Sequence, residues 1–148
     1  MSSVRTVITY GTFDLFHLGH LRILERSAAL GERLVVGVST DTFNQTKDKE
    51  CVQPFEERSA IVGAMRVVSG VFAEDSWGQK RADIEREGAD IFVMGDDWAG
   101  KFDDLDDVCE VVYLPRTEGV ATTNRKELIS SGVVSAADWS GISRTRDK

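Results

Sequence analysis

The chain has 148 residues, of which 41% are hydrophobic and 29% charged, and its formal net charge is −7. This length and composition fit one soluble domain with a real core, and the acidic balance argues against broad binding to nucleic acid or to anionic membranes. The sequence has no apolar run of about 18 residues, no signal-peptide segment before its first apolar run, and two distant cysteines, Cys51 and Cys109, that we expect to be reduced thiols in a cytoplasmic protein.

Apolar runs alternate with helical patterns along the chain. Five runs are predicted as buried strands, namely Thr6–Tyr10, Leu34–Val38, Val71–Ala73, Ile91–Met94 and Glu110–Leu114. The predicted helices are Gly19–Leu30 with Gly31 as its C-cap, a short helix capped by Thr40 and Asp41, a helix that begins at Pro54, Trp77–Glu87 with a stop at Gly88, and Thr123–Ser131. The polar segment Gln45–Glu50 is predicted as a loop.

The alternation of strands and helices predicts an α/β fold: a Rossmann-like, doubly wound parallel five-stranded sheet flanked by helices. We expect residues 1–132 to form this single domain. Residues 133–148 are expected to form a C-terminal tail that is disordered or loosely packed, because they are mostly polar.

Both histidines of the chain, His17 and His20, follow the first predicted strand at the start of the first predicted helix. Ligands of α/β folds bind at such strand-to-helix turns, and the spacing of the two histidines places them on one helix face. Gly11 and Gly19 allow a close approach of the backbone, and a helix N-terminus favours anions. The pattern indicates a phosphate site in which the imidazoles donate hydrogen bonds to charged oxygens; two histidines without a chemical role are the alternative.

A second block, Arg116–Thr123, combines an arginine with small and hydroxylated residues at the start of the last predicted helix, where an anion is favoured. Together with His17-Leu18-Gly19-His20 after Gly-Thr-Phe-Asp, this block resembles the signature of the nucleotidylyltransferase superfamily, which includes the cytidylyltransferases. The resemblance is greater to cytidylyltransferases that act on a glycerol phosphate. It covers about Val4 to Ile129 and is carried by Ser39–Asn44, Val93–Trp98, Gly100–Asp103 and Val111–Gly119.

This resemblance implies transfer of a cytidylyl group from CTP to sn-glycerol 3-phosphate by direct in-line attack on the α-phosphate, giving CDP-glycerol and pyrophosphate. It implies Mg²⁺ with the triphosphate, a homodimer, and a product that feeds teichoic acid or capsule polymers. The implied catalytic residues are His17, His20, Lys47 and Arg116. The implied nucleotide-binding residues are Gly11, Thr12, Phe13, Asp14, His17, Gly19, His20, Lys49, Asp97, Arg116, Thr117, Glu118, Gly119, Val120, Ala121, Thr122 and Thr123, and the implied substrate-binding residues are Lys47, Arg58, Arg66, Trp77 and Lys80.

Several assignments stay open at this stage. Asp14 is a candidate for orienting a histidine or the metal ion of the triphosphate, and Asp97 either reads the ribose or base or caps a turn. Ala121 stands where the family has a serine, and the lost hydroxyl removes about 1 kcal/mol of binding if it contacts a phosphate. The acceptor could instead be ethanolamine phosphate, choline phosphate or a sugar phosphate, the nucleotide could be ATP, and a catalytically silent nucleotide-binding module is a further alternative.

Overall fold

Strands and helices alternate through residues 4–115, which are the residues that the computed structural model describes. The elements are β1 (Thr6–Gly11), α1 (Leu18–Ala28), β2 (Arg33–Ser39), α2 (Asp41–Thr46), α3 (Phe55–Gly63), β3 (Gly70–Glu74), α4 (Lys80–Glu87), β4 (Ile91–Gly95) and β5 (Glu110–Leu114). Short 3₁₀ turns occupy Trp77–Gln79, Asp96–Trp98 and Asp103–Asp107. The predicted strands are all present, each within about a residue of its predicted bounds.

The five strands form one sheet in the order β3-β2-β1-β4-β5, and every neighbouring pair is parallel. The chain runs outward from β1 to β3 on one side and returns to the other side of β1 with β4. The strand order therefore reverses between β1 and β4, and ligands of open α/β sheets bind at this reversal, outside the carboxyl ends of the strands.

Both faces of the sheet are buried under helices. On one face, Val36 packs with Leu24 of α1 and Val62 of α3, and all three are fully buried. On the other face, Phe92 packs in a second cluster with Ile84 of α4. Helices on both faces of a parallel sheet confirm the predicted doubly wound architecture.

Two predicted helix ends are wrong. The first helix ends at Ala28 with Ala29 as its C-cap, not at Gly31. Gly31 is needed for another reason: a Cβ on it would lie 2.5 Å from the carbonyl oxygen of Arg5, which accepts hydrogen bonds from two amides that follow this glycine. Pro54 is the extended residue before α3, with φ −70° and ψ 162°, and not its first helical residue.

Other boundaries shift by a turn or less. Gln45 and Thr46 belong to α2 although they were predicted as loop, because the cap that Thr40 places on the amide of Phe43 starts a helix that continues to Thr46. The segment from Trp77 begins as a 3₁₀ turn before α4, and Gly88 ends α4 in the left-handed region at φ 62°, as predicted.

Within residues 4–115 no helix is both long and apolar enough to cross a membrane. Cys51 and Cys109 are not joined in a disulfide. The predicted last helix, the Arg116–Thr123 block and the predicted tail at residues 133–148 lie outside the described residues.

Candidate active site

The candidate site lies at the carboxyl ends of the strands, where most of the predicted site residues meet. Gly11 and Gly95 end the two strands that flank the reversal of strand order, and Ser39 and Glu74 end β2 and β3 beside them. A Cβ on Gly11 would lie 2.8 Å from the ring of Phe13, so glycine is required here by the packing of that ring. The expected approach of a ligand to Gly11 is therefore restricted on the side that Phe13 covers.

The histidine loop, residues Thr12–His20, is held in an uncommon backbone conformation. Phe13 and Leu15 both have left-handed φ angles, 55° and 50°, which are rare for residues other than glycine. The carboxylate of Asp14 accepts hydrogen bonds from the amides of Val52 (2.9 Å) and Gln53 (3.0 Å), and the amide of Leu15 donates to the side chain of Gln53 (2.9 Å). The segment before α3 thus fixes the loop, as expected where strained residues cluster at a functional site.

The two histidines cap α1 and hold each other. His17 is the N-cap residue, and its Nδ1 accepts a hydrogen bond from the amide of Gly19 at 3.0 Å. The amide of His17 donates to Nδ1 of His20 at 3.1 Å, and the two rings stack with centroids 4.0 Å apart. Because both Nδ1 atoms accept backbone hydrogen bonds, each neutral imidazole carries its proton on Nε2, where it is a hydrogen-bond donor.

Burial keeps His20 neutral. Its pKa is lowered from 6.5 to about 3, first by burial and then by the neighbouring His17, and the nearby carboxylate of Asp14 only partly opposes this. The rings of Phe13 and Phe16 pack against His20, with centroids 5.5 and 5.3 Å away. At pH 7 this side chain is therefore a fixed, uncharged donor and not an imidazolium.

Gly19 was expected to leave the N-terminus of α1 open to a phosphate, because it has no side chain. Its amide donates to the imidazole of His17, so this N–H is used within the protein and a phosphate would meet the His17 ring instead. The absence of a side chain at Gly19 remains compatible with close approach of a ligand.

Arg58 is predicted as a substrate-binding residue, and the structure buries its side chain completely. Its guanidinium donates to the carbonyl oxygens of Thr12 (2.8 Å), Ser39 (2.7 Å) and Gln53 (3.0 Å) and pairs with Asp41 at 2.8 Å. A planar five-donor group suits such a junction. This placement gives Arg58 a positioning role, in which it joins the ends of β1 and β2 to the segment before α3.

The lysine cluster, Lys47, Lys49 and Lys80, lies beside the histidine loop. Lys49 donates to the hydroxyl of Thr12 at 3.4 Å, and the hydroxyl of Ser39 contacts the same oxygen at 3.2 Å. Nζ of Lys47 lies 4.2 Å from the ring centroid of Phe43. The pKa of Lys47 is lowered, chiefly by burial and further by Lys49 and Lys80, while Glu74 opposes the shift. Positive charge is thus concentrated at this part of the edge.

Trp77 lies close to two of these lysines. Nζ of Lys47 lies 5.3 Å from the Trp77 ring and Nζ of Lys80 lies 5.2 Å from it, within the range of cation–π contacts. The indole is 48% exposed and packs edge-on against Phe43. The ring of Trp98, which follows β4, lies with its centroid 5.7 Å from that of Trp77, so the aromatic side chains form one continuous cluster.

Lys80 differs from a typical surface lysine, because only 3% of it is exposed. Its Nζ makes a 2.6 Å ion pair with Glu74, which is also buried. Sequence reasoning missed Glu74; the available signal was a charged residue that ends a predicted buried strand just before the Trp77-x-x-Lys80 segment.

Arg66 is the predicted site residue that the structure does not bring to this edge. Helix α3 starts at the carboxyl edge, where the amide of Phe55 donates to Asp41. The segment after α3 returns to the opposite edge, where the amide of Ser69 donates to the carbonyl of Leu34 near the start of β2. Arg66 precedes that contact, and its assignment as a substrate-binding residue stays a prediction.

Asp97 folds back over the end of β4. A Cβ on Gly95 would lie 2.7 Å from its Oδ1, so the glycine leaves room for this carboxylate beside the end of β4, at the reversal of strand order. The side chain of Asp97 therefore lies where a bound nucleotide is expected in such sheets.

The described residues do not present a built metal centre. Within residues 4–115 no three His, Cys, Asp or Glu side chains come together to hold an ion. Both oxygens of Asp14 accept backbone amides, so Asp14 is an anchor of the histidine loop and does not fit the role of a dedicated metal ligand. The remaining predicted nucleotide-binding residues, Arg116, Thr117, Glu118, Gly119, Val120, Ala121, Thr122 and Thr123, lie outside the described residues.

Comparisons with known proteins show the family of the chain. Residues 8–140 match the family model described as cytidylyltransferase-like. The chain is 54% identical over 127 residues to the glycerol-3-phosphate cytidylyltransferase of Bacillus subtilis strain 168, covering 86% of this chain and 98% of that protein. It is 48% identical over 124 residues to the glycerol-3-phosphate cytidylyltransferase of Staphylococcus aureus strain NCTC 8325, covering 84% of this chain and 94% of that protein.

A solved structure confirms the fold independently of close sequence similarity. The lipopolysaccharide core biosynthesis protein from Thermoplasma volcanium superposes with a TM-score of 0.67 at 24% identity, covering 78% of this chain and all of that chain.

Proposed function

The chain belongs to the cytidylyltransferase-like family, and on that premise we propose that it transfers the cytidylyl group of CTP to sn-glycerol 3-phosphate, releasing pyrophosphate. The observation that carries the reaction type is the pair of stacked histidines, fixed as Nε2–H donors next to three lysines. The choice of acceptor is supported by relatives of that name at 48% to 54% identity over most of the chain.

The reaction needs no general base. A phosphate oxygen of the acceptor is already an anion; it forms a bond to the α-phosphorus of CTP while the bond from that phosphorus to the bridging oxygen breaks, and pyrophosphate leaves with the electron pair. Catalysis is then alignment of three groups in line and neutralisation of two polyanions. This agrees with a site that offers hydrogen-bond donors and cations.

We assign the histidines to the α-phosphate and the leaving group. Their Nε2–H groups are held by contacts to the backbone before any substrate arrives, so little reorganisation is needed when charge develops. Lys49, which reaches Thr12, would lie against the nucleotide phosphates, and Asp97 at the end of β4 is proposed to contact the ribose or base.

The lysines beside Trp77 are assigned to the acceptor. Lys47 and Lys80 both lie within cation–π distance of the half-exposed indole, and a dianionic phosphate placed there gains from both charges. Lys47 is the less buried of the two and is proposed to contact the attacking phosphate. Lys80, which is buried and paired with Glu74, is proposed to act on the phosphate from deeper in the site.

We further propose that Arg116 and the Thr117–Thr123 segment bind the β- and γ-phosphates, and that CTP enters as its Mg²⁺ complex. The family membership supports both assignments, and the sequence supports the first through its arginine and hydroxylated residues. We also propose a homodimer, which sedimentation analysis of the purified chain would test by its mass.

Release of pyrophosphate tests the proposed function. Wild-type protein is assayed with CTP or ATP against glycerol 3-phosphate, ethanolamine phosphate, choline phosphate and a sugar phosphate, and the product is identified by mass. We expect pyrophosphate and CDP-glycerol from CTP and glycerol 3-phosphate, with His20→Ala as the inactive control. Binding of CTP without release of pyrophosphate for any acceptor, or a clear preference for another acceptor, would overturn the proposal.

A further inference from the structure

Glu74 is a buried carboxylate at the edge of the candidate site. It is the last residue of β3, opposite Ser39 of β2, and it is 4% exposed. Its Oε2 accepts a 2.6 Å hydrogen bond from Nζ of Lys80. Within residues 4–115, no hydrogen bond engages its second oxygen, Oε1.

A buried ion pair usually contributes little to the free energy of unfolding. Removing both charges from water is costly, and well-packed apolar side chains of similar volume are often at least as stabilising. The surroundings are suited to such side chains, because aromatic rings enclose Nζ of Lys80: Tyr10 at 4.7 Å, Trp77 at 5.2 Å and Phe102 at 5.3 Å. The presence of a charged pair in this aromatic enclosure calls for a chemical reason.

The charges around Trp77 are matched to an acceptor that has both a phosphate and a hydroxyl. Lys47 and Lys80, whose Nζ atoms lie 5.3 and 5.2 Å from the indole ring, suit the phosphate. A hydroxyl group must donate its proton to an acceptor when it leaves water, and an ionised carboxylate is a strong acceptor. Glu74 supplies that group within one hydrogen bond of Lys80, and it lies close enough to Lys47 to affect the pKa of that lysine.

We propose that Glu74 is a specificity-determining residue for the acceptor: held by Lys80, its carboxylate accepts a hydrogen bond from a hydroxyl of the glycerol phosphate. This rests on the proposed function and adds the residue that separates a hydroxylated acceptor from a plain alkyl phosphate. Lys80 fixes the carboxylate through Oε2 and leaves Oε1 as the oxygen that binds the hydroxyl.

The test compares two acceptors that differ only in their hydroxyls. At saturating CTP, kcat/KM is measured for glycerol 3-phosphate and for n-propyl phosphate, with wild-type protein and with Glu74→Gln. A hydrogen bond to a charged group corresponds to roughly a 10- to 100-fold preference for the hydroxylated acceptor in the wild type. We expect Glu74→Gln to reduce this preference at least about tenfold, mainly through KM for glycerol 3-phosphate.

A purely structural role would lower kcat/KM for both acceptors equally and leave their ratio unchanged, and that result would overturn the proposal. Asp83→Asn is the matched control, because Asp83 is an equally buried carboxylate that accepts a hydrogen bond from Tyr10 at 2.7 Å; its ratio should stay at the wild-type value. If Glu74→Gln does not fold by circular dichroism, Glu74→Asp, which retains the charge but shortens its reach, should lower the ratio, and an unchanged ratio would overturn the proposal.

The same assay distinguishes a failure of the proposed function from a failure of the proposed role of Glu74. If wild-type protein makes no CDP-glycerol but uses another acceptor, the proposed function fails. If it makes CDP-glycerol and Glu74→Gln retains the wild-type ratio, the proposed function stands and the role of Glu74 fails.

Discussion

The histidine loop and the lysine cluster lie on the same edge of the sheet, but they are built differently. In the histidine loop the functional side chains are held by residues next to them in sequence: Nδ1 of His17 by the amide of Gly19, and Nδ1 of His20 by the amide of His17. In the lysine cluster, distant residues contribute as well as near ones, since Lys49 reaches Thr12 and Lys47 contacts both Phe43 and Trp77.

The two regions also differ in charge. Burial keeps His20 neutral, so this ring is an oriented donor without a charge of its own. The lysine cluster offers full positive charges that attract a phosphate dianion over a longer range. The difference suggests a division of labour, in which the cations bind the acceptor and the neutral donors stabilise charge that develops at phosphorus.

Arg58 joins the start of the histidine loop to the end of β2, and its loss should have the largest effect. Arg58→Met leaves the carboxylate of Asp41 and the carbonyls of Thr12 and Ser39 without their buried partner. We expect a loss of about 2–5 kcal/mol in the free energy of unfolding, measured by urea denaturation, because each buried acceptor left without a donor costs about 1–3 kcal/mol. Arg22→Met is the matched control, because the exposed Arg22–Glu25 pair should contribute at most about 0.5 kcal/mol. Equal stability of the two variants would contradict a joining role for Arg58.

Loss of either histidine should reduce turnover while leaving the fold intact. We expect kcat of His17→Ala and of His20→Ala to fall about 100-fold or more, as when a preorganised donor is removed. His17→Asn separates capping from chemistry, since asparagine also caps helices but does not place a donor where Nε2 lies. Its circular dichroism should match that of the wild type while its kcat stays low; near-normal kcat in both alanine variants would remove the histidines from the mechanism.

Lys47→Ala should have a smaller and more selective effect. Because Lys47 is assigned to the acceptor, we expect its loss to raise KM for glycerol 3-phosphate about tenfold, as for loss of one charge-assisted contact, with KM for CTP and kcat little changed. Steady-state kinetics with each substrate varied in turn would measure this. A rise confined to KM for CTP would assign Lys47 to the nucleotide instead, and it would contradict the proposed division of labour between the lysine cluster and the histidine loop.

The sequence predicts the local features of this molecule well. Strand positions follow from short apolar runs, and the spacing of His17 and His20 is enough to place both at the start of α1. Gly88 is a recognisable helix stop, because a left-handed C-cap favours glycine. These features depend on residues within one turn of each other, which a linear pattern records.

The features that the sequence does not predict depend on strand order. Arg58 meets both Thr12 and Ser39 only after β1 and β2 lie side by side. The direction of α3 matters for Arg66 in the same way, since a helix that begins at the carboxyl edge delivers the residues after it to the opposite edge. Basic residues near a motif in sequence are therefore not all near it in space.

Nitrogen-15 NMR of histidine-labelled protein tests the central claim most directly, because the chain contains only two histidines. At pH 7 we expect both rings to carry their proton on Nε2, with Nδ1 unprotonated, and His20 to remain neutral on acidification until the pH approaches its pKa of about 3. An Nδ1–H tautomer for either ring, or an imidazolium at His20 near pH 6.5, would contradict the account of the histidine loop as a pair of fixed, uncharged donors.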